Sequence, residues 1–335
     1  MKSRKEQVFA LPPKGVSFAL PSEDFPEELK KQVAKRMVSL EWNKYIDPEL
    51  NNARRQLSDA FATAPESLIF THGSDDAIDR VVSGMKPTFV LLPRGGYPGY
   101  SRSAASSGSR SLVYHPESTS DVLVGMLEGC VGTTLVFLCW PGNPLGNYDQ
   151  LNGLREIVAN SDRVVVDLTY LNPLTTEFVA ILHGIIQAGA CAAFSFSKTL
   201  GLASARLGGI VLPEGHHAVL SRGEHFPWTL FQLCALETAL CSEPETKQLL
   251  ARMVTNQKKV KAALISSIEE VGIPVRNADA DSFLSVDLAR LAGGVEVGTL
   301  KFPVGSKQYP SLDVLRLDVS QANVSWMQQV KAALT

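Results

Sequence analysis

The residues with the clearest potential for chemistry are an amine and its neighbouring hydroxyl groups, in the run Ser195-Phe196-Ser197-Lys198. The run ends an apolar stretch that predicts a buried strand, and open α/β sheets bind ligands at such strand ends. Arg206 follows closely. An amine forms an imine with an aldehyde, and hydroxyl and guanidinium groups bind phosphate oxygens. The combination therefore suits an aldehyde cofactor that carries a phosphate. The alternative is a surface lysine beside solvated serines.

A carboxylate ends a second apolar run, Arg163–Asp167, and Tyr170 follows it. A carboxylate beside a pyridine nitrogen keeps that nitrogen protonated, so that the ring of a pyridoxal cofactor can accept electrons from the substrate α-carbon. Asp167 fits this role, and Tyr170 can donate a hydrogen bond to the ring hydroxylate. The alternative for Asp167 is a residue that caps the next helix.

Two loops that follow predicted strands add polar groups. The proline-rich and glycine-rich run Trp140-Pro141-Gly142-Asn143-Pro144 marks a tight loop, whose Asn143 amide can donate to the same ring oxygen as Tyr170. Gly73, Ser74 and Asp75 lie between a strand and a helix, where backbone N–H groups and the helix dipole form an anion site suited to a phosphate. The alternatives are a plain turn and a capped helix start.

An aromatic ring and a buried guanidinium complete the candidate site. Tyr97, in the run Tyr97-Pro98-Gly99-Tyr100, can stack on a pyridine face, or it is an ordinary core or surface tyrosine. Arg316 lies within an apolar strand, where an unpaired charge is costly. A substrate carboxylate would pair with it in bidentate geometry. An ion pair with Asp318, which alternation places on the same face of the strand, is the alternative.

These residues need a scaffold, and the hydrophobic pattern from Leu68 to Pro213 predicts an α/β fold with a mainly parallel central sheet flanked by helices. The predicted strands are Leu68–Phe70, Thr88–Leu92, Ser111–Tyr114, Thr134–Trp140, Arg163–Asp167, Ala190–Phe196 and Leu207–Leu212. The predicted helices include Asp75–Gly84, Gln150–Asn160, Glu177–Gln187 and, roughly, Lys247–Val271. Later strands at Ser282–Val286 and Val314–Val319, and a closing helix from about Asn323, predict a smaller α+β domain. We expect a large domain over 46–246, and a small one formed by 1–45 and 247–335.

Composition limits the partners that the chain can bind. The 335 residues are 45% hydrophobic and 20% charged, with a formal net charge of -2, which disfavours binding to nucleic acid or to an anionic membrane. The five cysteines lack metal-ligand spacing and are odd in number, which indicates reduced thiols and no metal site. No apolar stretch is long enough for a membrane span, and the start of the chain does not read as a secretory signal. We therefore expect a cytoplasmic protein.

The run from Ser195 to Gly208, Ser-Phe-Ser-Lys-Thr-Leu-Gly-Leu-Ala-Ser-Ala-Arg-Leu-Gly, resembles the lysine loop of the pyridoxal-phosphate (PLP) aminotransferases of fold type I. The remaining motifs follow in the order of that family, from about Asn43 to Ser320. The resemblance implies PLP as cofactor, held by Lys198 as a Schiff base. It implies catalytic roles for Lys198, Asp167 and Tyr170. The cofactor-binding residues it implies are Lys198, Gly73, Ser74, Asp75, Tyr97, Asn143, Asp167, Tyr170, Ser195, Ser197, Arg206 and Tyr45, and the substrate-binding residues are Arg316 and Tyr97.

The run Asn43-Lys44-Tyr45-Ile46-Asp47-Pro48 is similar to a segment of histidinol-phosphate aminotransferases in which a tyrosine reaches the cofactor phosphate of the neighbouring subunit. That similarity implies a homodimer in which Tyr45 acts in trans; a turn residue before Asp-Pro is the alternative. Other features look more like the alliinase and tryptophan-aminotransferase branch, among them Tyr97 to Tyr100, Asp167 to Pro173, and Gly305-Ser306-Lys307.

Departures from the family pattern concern the substrate. The N-terminal substrate loop reads Ala19-Leu20-Pro21-Ser22-Glu23-Asp24, without the expected asparagine near a Gly-Pro. No arginine stands where histidinol-phosphate enzymes hold the substrate phosphate, so histidinol phosphate is not assigned as substrate. We expect an aminotransferase acting on an L-amino acid and a 2-oxo acid. A PLP-dependent lyase, decarboxylase or cyclase is the alternative, followed by a PLP-binding protein without catalysis.

Overall fold

A computed structural model of the chain describes residues 18–46, 50–146, 151–214, 228–287, 306–309 and 312–334. Several sequence features fall outside these ranges: most of the N-terminal segment, Asp47 and Pro48 beside Tyr45, Asn147, Gln150 at the predicted helix start, and Gly305. No helix within the described ranges is both long and apolar enough to cross a membrane.

The larger sheet of the described chain has seven strands in the order β1-β7-β6-β5-β4-β2-β3. β7 pairs antiparallel with both of its neighbours, whereas the other pairs in this sheet are parallel. The prediction of a mainly parallel sheet is therefore confirmed. The strands are β1 (Leu68–His72), β2 (Phe89–Pro93), β3 (Arg110–Tyr114), β4 (Thr134–Cys139), β5 (Arg163–Asp167), β6 (Cys191–Ser195) and β7 (Leu207–Val211).

Helices cover both faces of this sheet. Alternation along β4 illustrates the arrangement, because Val136 and Leu138 join one hydrophobic cluster while Leu135 and Phe137 join another. The helices are α1 (Glu27–Ser39), α2 (Asn51–Phe61), α3 (Gly73–Met85), α4 (Pro98–Ser106), α5 (Ser120–Glu128), α6 (Leu154–Ala159), α7 (Thr176–Gln187), α8 (Leu230–Ala239), α9 (Pro244–Glu269) and α10 (Gln321–Leu334).

A second, antiparallel sheet follows, with the order β10-β11-β9-β8. Its strands are β8 (Val275–Asn277), β9 (Phe283–Asp287), β10 (Ser306–Tyr309) and β11 (Val314–Asp318). Apolar residues of α9 and α10 pack against it, among them Leu264 and Met327. The Asn277 amide also donates to the Pro144 carbonyl at 3.1 Å, which ties this sheet to the loop after β4.

Two elements near the site differ from the sequence expectation. A helix after Tyr97 is not among those predicted from the sequence, yet α4 begins at Pro98. Proline is compatible with the first turn of a helix, since its missing N–H has no intrahelical acceptor there. β10 is likewise unpredicted; it is short, and its pairing with β11 forms only in the folded sheet.

Candidate active site

A cavity of about 510 Å³ lies where the parallel strands end. β4, β5 and β6 run in the same direction, so the residues that follow or end them meet at one edge of the sheet. Arg316 enters from β11 of the other sheet. The sequence-predicted residues that line the cavity are Ser74, Asp75, Tyr97, Asn143, Asp167, Tyr170, Ser195, Ser197, Lys198, Arg206 and Arg316.

Two predicted residues do not line this cavity. Gly73 lies behind it, against the guanidinium of Arg206. Tyr45 has 84% of its surface exposed and is not among the described residues around the cavity. A role for Tyr45 at its own chain's site is therefore not supported by its position.

Lys198 presents a half-buried amine to the cavity, and its Nζ donates a hydrogen bond to the Phe18 carbonyl at 2.7 Å. Burial lowers the pKa of Lys198 from 10.5 to about 8, with a smaller opposing effect from the nearby carboxylate of Asp75. A lysine is nucleophilic only in its neutral form. The lowered pKa leaves roughly a tenth of the amine neutral at pH 7.

Asp167 ends β5 with a carboxylate that is 3% exposed. Its Oδ1 accepts a hydrogen bond from the backbone N–H of Thr169 at 3.0 Å and another from the Thr169 hydroxyl. Its Oδ2 accepts from the phenol of Tyr100 at 2.6 Å. Burial raises the pKa of Asp167, and the hydrogen bonds from Thr169 and Tyr100 oppose that rise. A buried carboxylate held in this way favours a cationic partner such as a protonated pyridine nitrogen.

Asn143, Tyr170 and Arg316 form one hydrogen-bonded group on another wall of the cavity. The Asn143 amide nitrogen donates to the Tyr170 hydroxyl at 2.9 Å, and Arg316 Nη1 donates to Asn143 Oδ1 at 2.9 Å. Burial raises the pKa of Tyr170, so its phenol stays a neutral hydrogen-bond donor. Arg316 Nη2 also lies 3.9 Å from Asp318 Oδ1. Arg316 therefore both lines the cavity and lies within ion-pair distance of Asp318, so the two predicted alternatives occur together.

The remaining wall has the groups that bind a phosphate. Arg206 Nη2 donates to Asp75 Oδ2 at 2.9 Å and to the His72 carbonyl at 3.1 Å. Gly73 permits this approach, because a Cβ at that residue would lie 2.8 Å from Arg206 Nη2. Its φ of +79° also favours glycine.

The buried hydroxyl of Ser197 on this wall bears on whether a phosphate fits there. Ser197 is 3% exposed, and its Oγ has no hydrogen-bond partner among the described residues. Buried hydroxyl groups are normally paired. An acceptor oxygen of a bound phosphate would satisfy this group, so the residues present fit a phosphorylated cofactor.

The ring of Tyr97 lies against the backbone of Gly99, where a Cβ would come within 2.0 Å of the ring carbon Cε1. Only glycine at residue 99 therefore allows this ring position. Burial raises the pKa of Tyr97 to about 12, with a smaller contribution from the carboxylate of Asp75. The neutral ring at the cavity wall offers a flat face for stacking.

Sequence reasoning missed several residues of the site, among them Thr169, which donates to Asp167. Three others contact predicted residues from elsewhere in the chain. Tyr100 donates to Asp167, Tyr309 donates to Asn143 Oδ1 at 3.3 Å, and Phe18 accepts from Lys198. For Tyr100, the available signal was its helical spacing from Tyr97. The position of the N-terminal substrate loop was a signal for Phe18. No sequence signal was available for Tyr309, because β10 itself was not predicted.

The fold and the cavity together define a pyridoxal 5'-phosphate enzyme of fold type I, with an amine, a buried carboxylate and a phosphate-binding wall around one space. The family model described as "Aminotransferase class I and II" matches residues 20–301. The chain therefore belongs to the class I and II aminotransferases, and the resemblance drawn from the motifs is confirmed.

Two curated relatives are histidinol-phosphate aminotransferases. The one from Aquifex aeolicus is 24% identical over 323 residues, which cover 93% of this chain and 84% of that protein. The one from Listeria innocua is 29% identical over 205 residues, which cover 56% of this chain and 55% of that protein.

Solved structures show the same fold. The histidinol-phosphate aminotransferase of Sinorhizobium meliloti, in complex with pyridoxal-5'-phosphate, has a TM-score of 0.73 at 17% identity, covering 99% of this chain and 98% of that chain. The L-threonine-O-3-phosphate decarboxylase of Porphyromonas gingivalis has a TM-score of 0.69 at 15% identity, covering 95% of this chain and 100% of that chain. The fold thus occurs in proteins named for transamination and for decarboxylation.

Proposed function

We propose that this aminotransferase moves the amino group of an L-amino acid to a 2-oxo acid, with Lys198 as the residue that holds PLP and moves the proton. The observation that carries the proposal is the half-buried amine of Lys198, with its lowered pKa, in the same cavity as Asp167 and Arg316. Bound PLP supplies an aldehyde that takes up the amino group and a protonated ring that accepts electrons from the substrate α-carbon.

The residues around the reacting atoms have distinct roles in this proposal. Asp167 keeps a positive charge on the ring nitrogen, because a buried carboxylate stabilises the protonated form. Tyr170 and Asn143 donate hydrogen bonds to the ring oxygen. Lys198, as a free amine, would accept the proton from the substrate α-carbon and would hold it for the next proton transfer. Arg316 binds the substrate carboxylate and so fixes the orientation of the α-carbon.

The other predicted residues hold the cofactor in place. The start of α3, at Ser74 and Asp75, would supply N–H groups and the positive end of a helix dipole for the phosphate, and Gly73 leaves room for the guanidinium of Arg206. Tyr97 would stack on the ring of the cofactor. The hydroxyl and guanidinium groups that bind the phosphate oxygens belong to Ser195, Ser197 and Arg206.

A spectroscopic half-reaction tests the function. The purified protein is expected to be yellow, an L-amino acid should convert its bound aldehyde to the amine form, and a 2-oxo acid should reverse that change. Products are identified by mass. Release of carbon dioxide, or of ammonia with pyruvate, without a need for a 2-oxo acid would instead establish the decarboxylase or lyase alternative, a possibility given weight by the decarboxylase of similar fold. A stable spectral change without any product would indicate a binding protein.

We also propose a homodimer in which Tyr45 reaches the phosphate of the neighbouring subunit. The support is the 84% exposure of Tyr45 together with two exposed apolar residues shortly before it in the chain, Val38 at 79% and Trp42 at 71%. Such exposed apolar residues are typical of a surface that another protein covers.

The proposal includes a cytoplasmic location, because free cysteines are compatible with a reducing compartment.

Subunit complementation tests the role of Tyr45 in trans. Tyr45→Ala is expected to raise the Kd for PLP roughly tenfold or more, because one hydrogen bond to a charged group is lost. At limiting PLP, co-expressed Lys198→Ala and Tyr45→Ala chains should form mixed dimers with one intact site each, and so regain activity that neither variant has alone. Light scattering should give the mass of a dimer. A monomer, or mixed chains without regained activity, would contradict the proposal.

A further inference from the structure

Two exposed apolar side chains line the cavity beside the reactive amine. Phe18 is 47% exposed and Leu20 is 36% exposed, and both belong to the cavity wall. Exposed apolar surface inside a cavity favours a ligand that covers it, because removal of that surface from water lowers the free energy. The Phe18 carbonyl lies 2.7 Å from Lys198 Nζ, so this surface is close to the reacting atoms.

The segment that presents these side chains is held in place at Ala19 and at Ser22. Ala19, between them, is fully buried with Tyr170 and Phe283. It adopts a φ of +52°, which is uncommon for a residue with a Cβ and indicates that the surrounding contacts fix the turn. Further along, the backbone N–H and the hydroxyl of Ser22 both donate to the side-chain oxygen of Gln257 in α9. The two side chains therefore form a positioned apolar edge of the site.

The cationic side chains around the cavity have their own polar neighbours. Among the described lining residues these are Lys198, Arg206, Arg316 and Arg102. Lys198 faces the Phe18 carbonyl, Arg206 pairs with Asp75, and Arg316 contacts Asn143 and Asp318. The guanidinium of Arg102 lies beside the phenol of Tyr97, and the carboxylates of Asp79 and Asp75 also act on it. Arg102 thus has the Tyr97 phenol as its polar neighbour, as the other three cations have theirs.

From this distribution we infer the substrate class: an L-amino acid with an apolar side chain, which Phe18 and Leu20 cover, in preference to an anionic or phosphorylated side chain. The inference rests on the proposed function, in which Arg316 orients the α-carbon and Lys198 moves its proton. A substrate held at its amine and its carboxylate directs its side chain away from both groups. Among the described residues, an anionic side chain at the apolar edge would lose hydration without gaining a cation that is not already paired.

Unreactive carboxylates test the inference by calorimetry on the PLP-loaded protein. Isocaproate has a leucine-like tail, and glutarate has a tail with a second carboxylate. Isocaproate is expected to bind about tenfold more tightly, as the burial of a few methylene groups predicts. Phe18→Ala and Leu20→Ala should each weaken the binding of isocaproate by about three- to tenfold. Neither variant should change the affinity for glutarate.

A matched control is Val131→Ala, which shortens an apolar side chain that is 90% exposed and precedes β4 at the end opposite to the cavity. It should change neither affinity. Glutarate binding as tightly as isocaproate, or variants that weaken both ligands equally, would overturn the inference.

Amino-acid donors separate this inference from the proposed function. L-Leucine and L-phenylalanine should exceed L-glutamate and O-phospho-L-serine in kcat/KM by about tenfold or more. Efficient turnover of the acidic donors with poor turnover of the apolar ones would refute the substrate class and leave transamination intact. Failure of every donor to convert the cofactor would refute the proposed function itself.

Discussion

Replacement of Lys198 by alanine is expected to abolish turnover, with kcat reduced by about 10⁴-fold or more, because one side chain both holds the cofactor and moves the proton. The variant should fold, since Lys198 is only half-buried and its Nζ hydrogen bond is to a backbone carbonyl. Single-turnover absorbance measures the loss. Borohydride reduction of the wild type, followed by peptide mass mapping, should locate the cofactor on the peptide that contains residue 198.

A matched control is available in Lys261, whose pKa is also lowered by burial but which does not line the cavity. Lys261→Ala should keep the kcat of the wild type. A small amine such as methylamine should partly restore proton transfer to Lys198→Ala. Full activity in Lys198→Ala would reject the assignment of the catalytic amine.

The lowered pKa of Lys198 also predicts the pH dependence of cofactor uptake. Only the neutral amine attacks the aldehyde, so the rate of PLP uptake should rise with pH until about 8 and then level off. A lysine with the ordinary pKa of 10.5 would give a rate that still rises above pH 9. Stopped-flow absorbance on the cofactor-free protein distinguishes the two profiles.

Asp167→Asn is expected to lower kcat by roughly 10²- to 10³-fold, because an amide occupies the same volume but does not supply the negative charge that stabilises a protonated ring nitrogen. The effect should fall mainly on kcat, since the phosphate-binding wall is unchanged. Steady-state kinetics with saturating PLP, together with the absorbance of the bound cofactor, measures it. An unchanged kcat would mean that the carboxylate does not act on the ring.

Tyr100→Phe tests the same carboxylate with a smaller expected effect on kcat. It removes the hydrogen bond to Asp167 Oδ2, so the pKa of the carboxylate should rise and kcat should fall by about tenfold or less, with a shifted pH profile. Tyr114→Phe is the matched control. It removes another buried phenol, which donates to the Phe137 carbonyl at 2.8 Å, and it should leave the pH profile unchanged.

Local patterns in the sequence were sufficient to predict the central sheet and, to within one or two residues, the ends of its strands. The run Arg163–Asp167 is predicted with the bounds that β5 has, because a continuous apolar run bounded by charges is typical of a buried parallel strand. The position of Asp167 at a strand end, and of Lys198 after another, then followed from chain order. α4 was missed because proline and glycine are compatible with both a turn and a first helical turn.

What the sequence by itself determined is therefore which chemical groups the chain carries and at which strand ends they stand. Only the tertiary structure decided which of these groups meet. Tyr100 reaches Asp167 across 67 positions, Arg316 reaches Asn143 across 173, and Lys198 reaches Phe18 across 180. Such contacts depend on how the two sheets and the N-terminal segment pack together. Local sequence periodicity predicts helices and strands but does not predict that packing. For this reason the reactive groups were predictable one by one, whereas the partners that orient them and the apolar edge beside them were not.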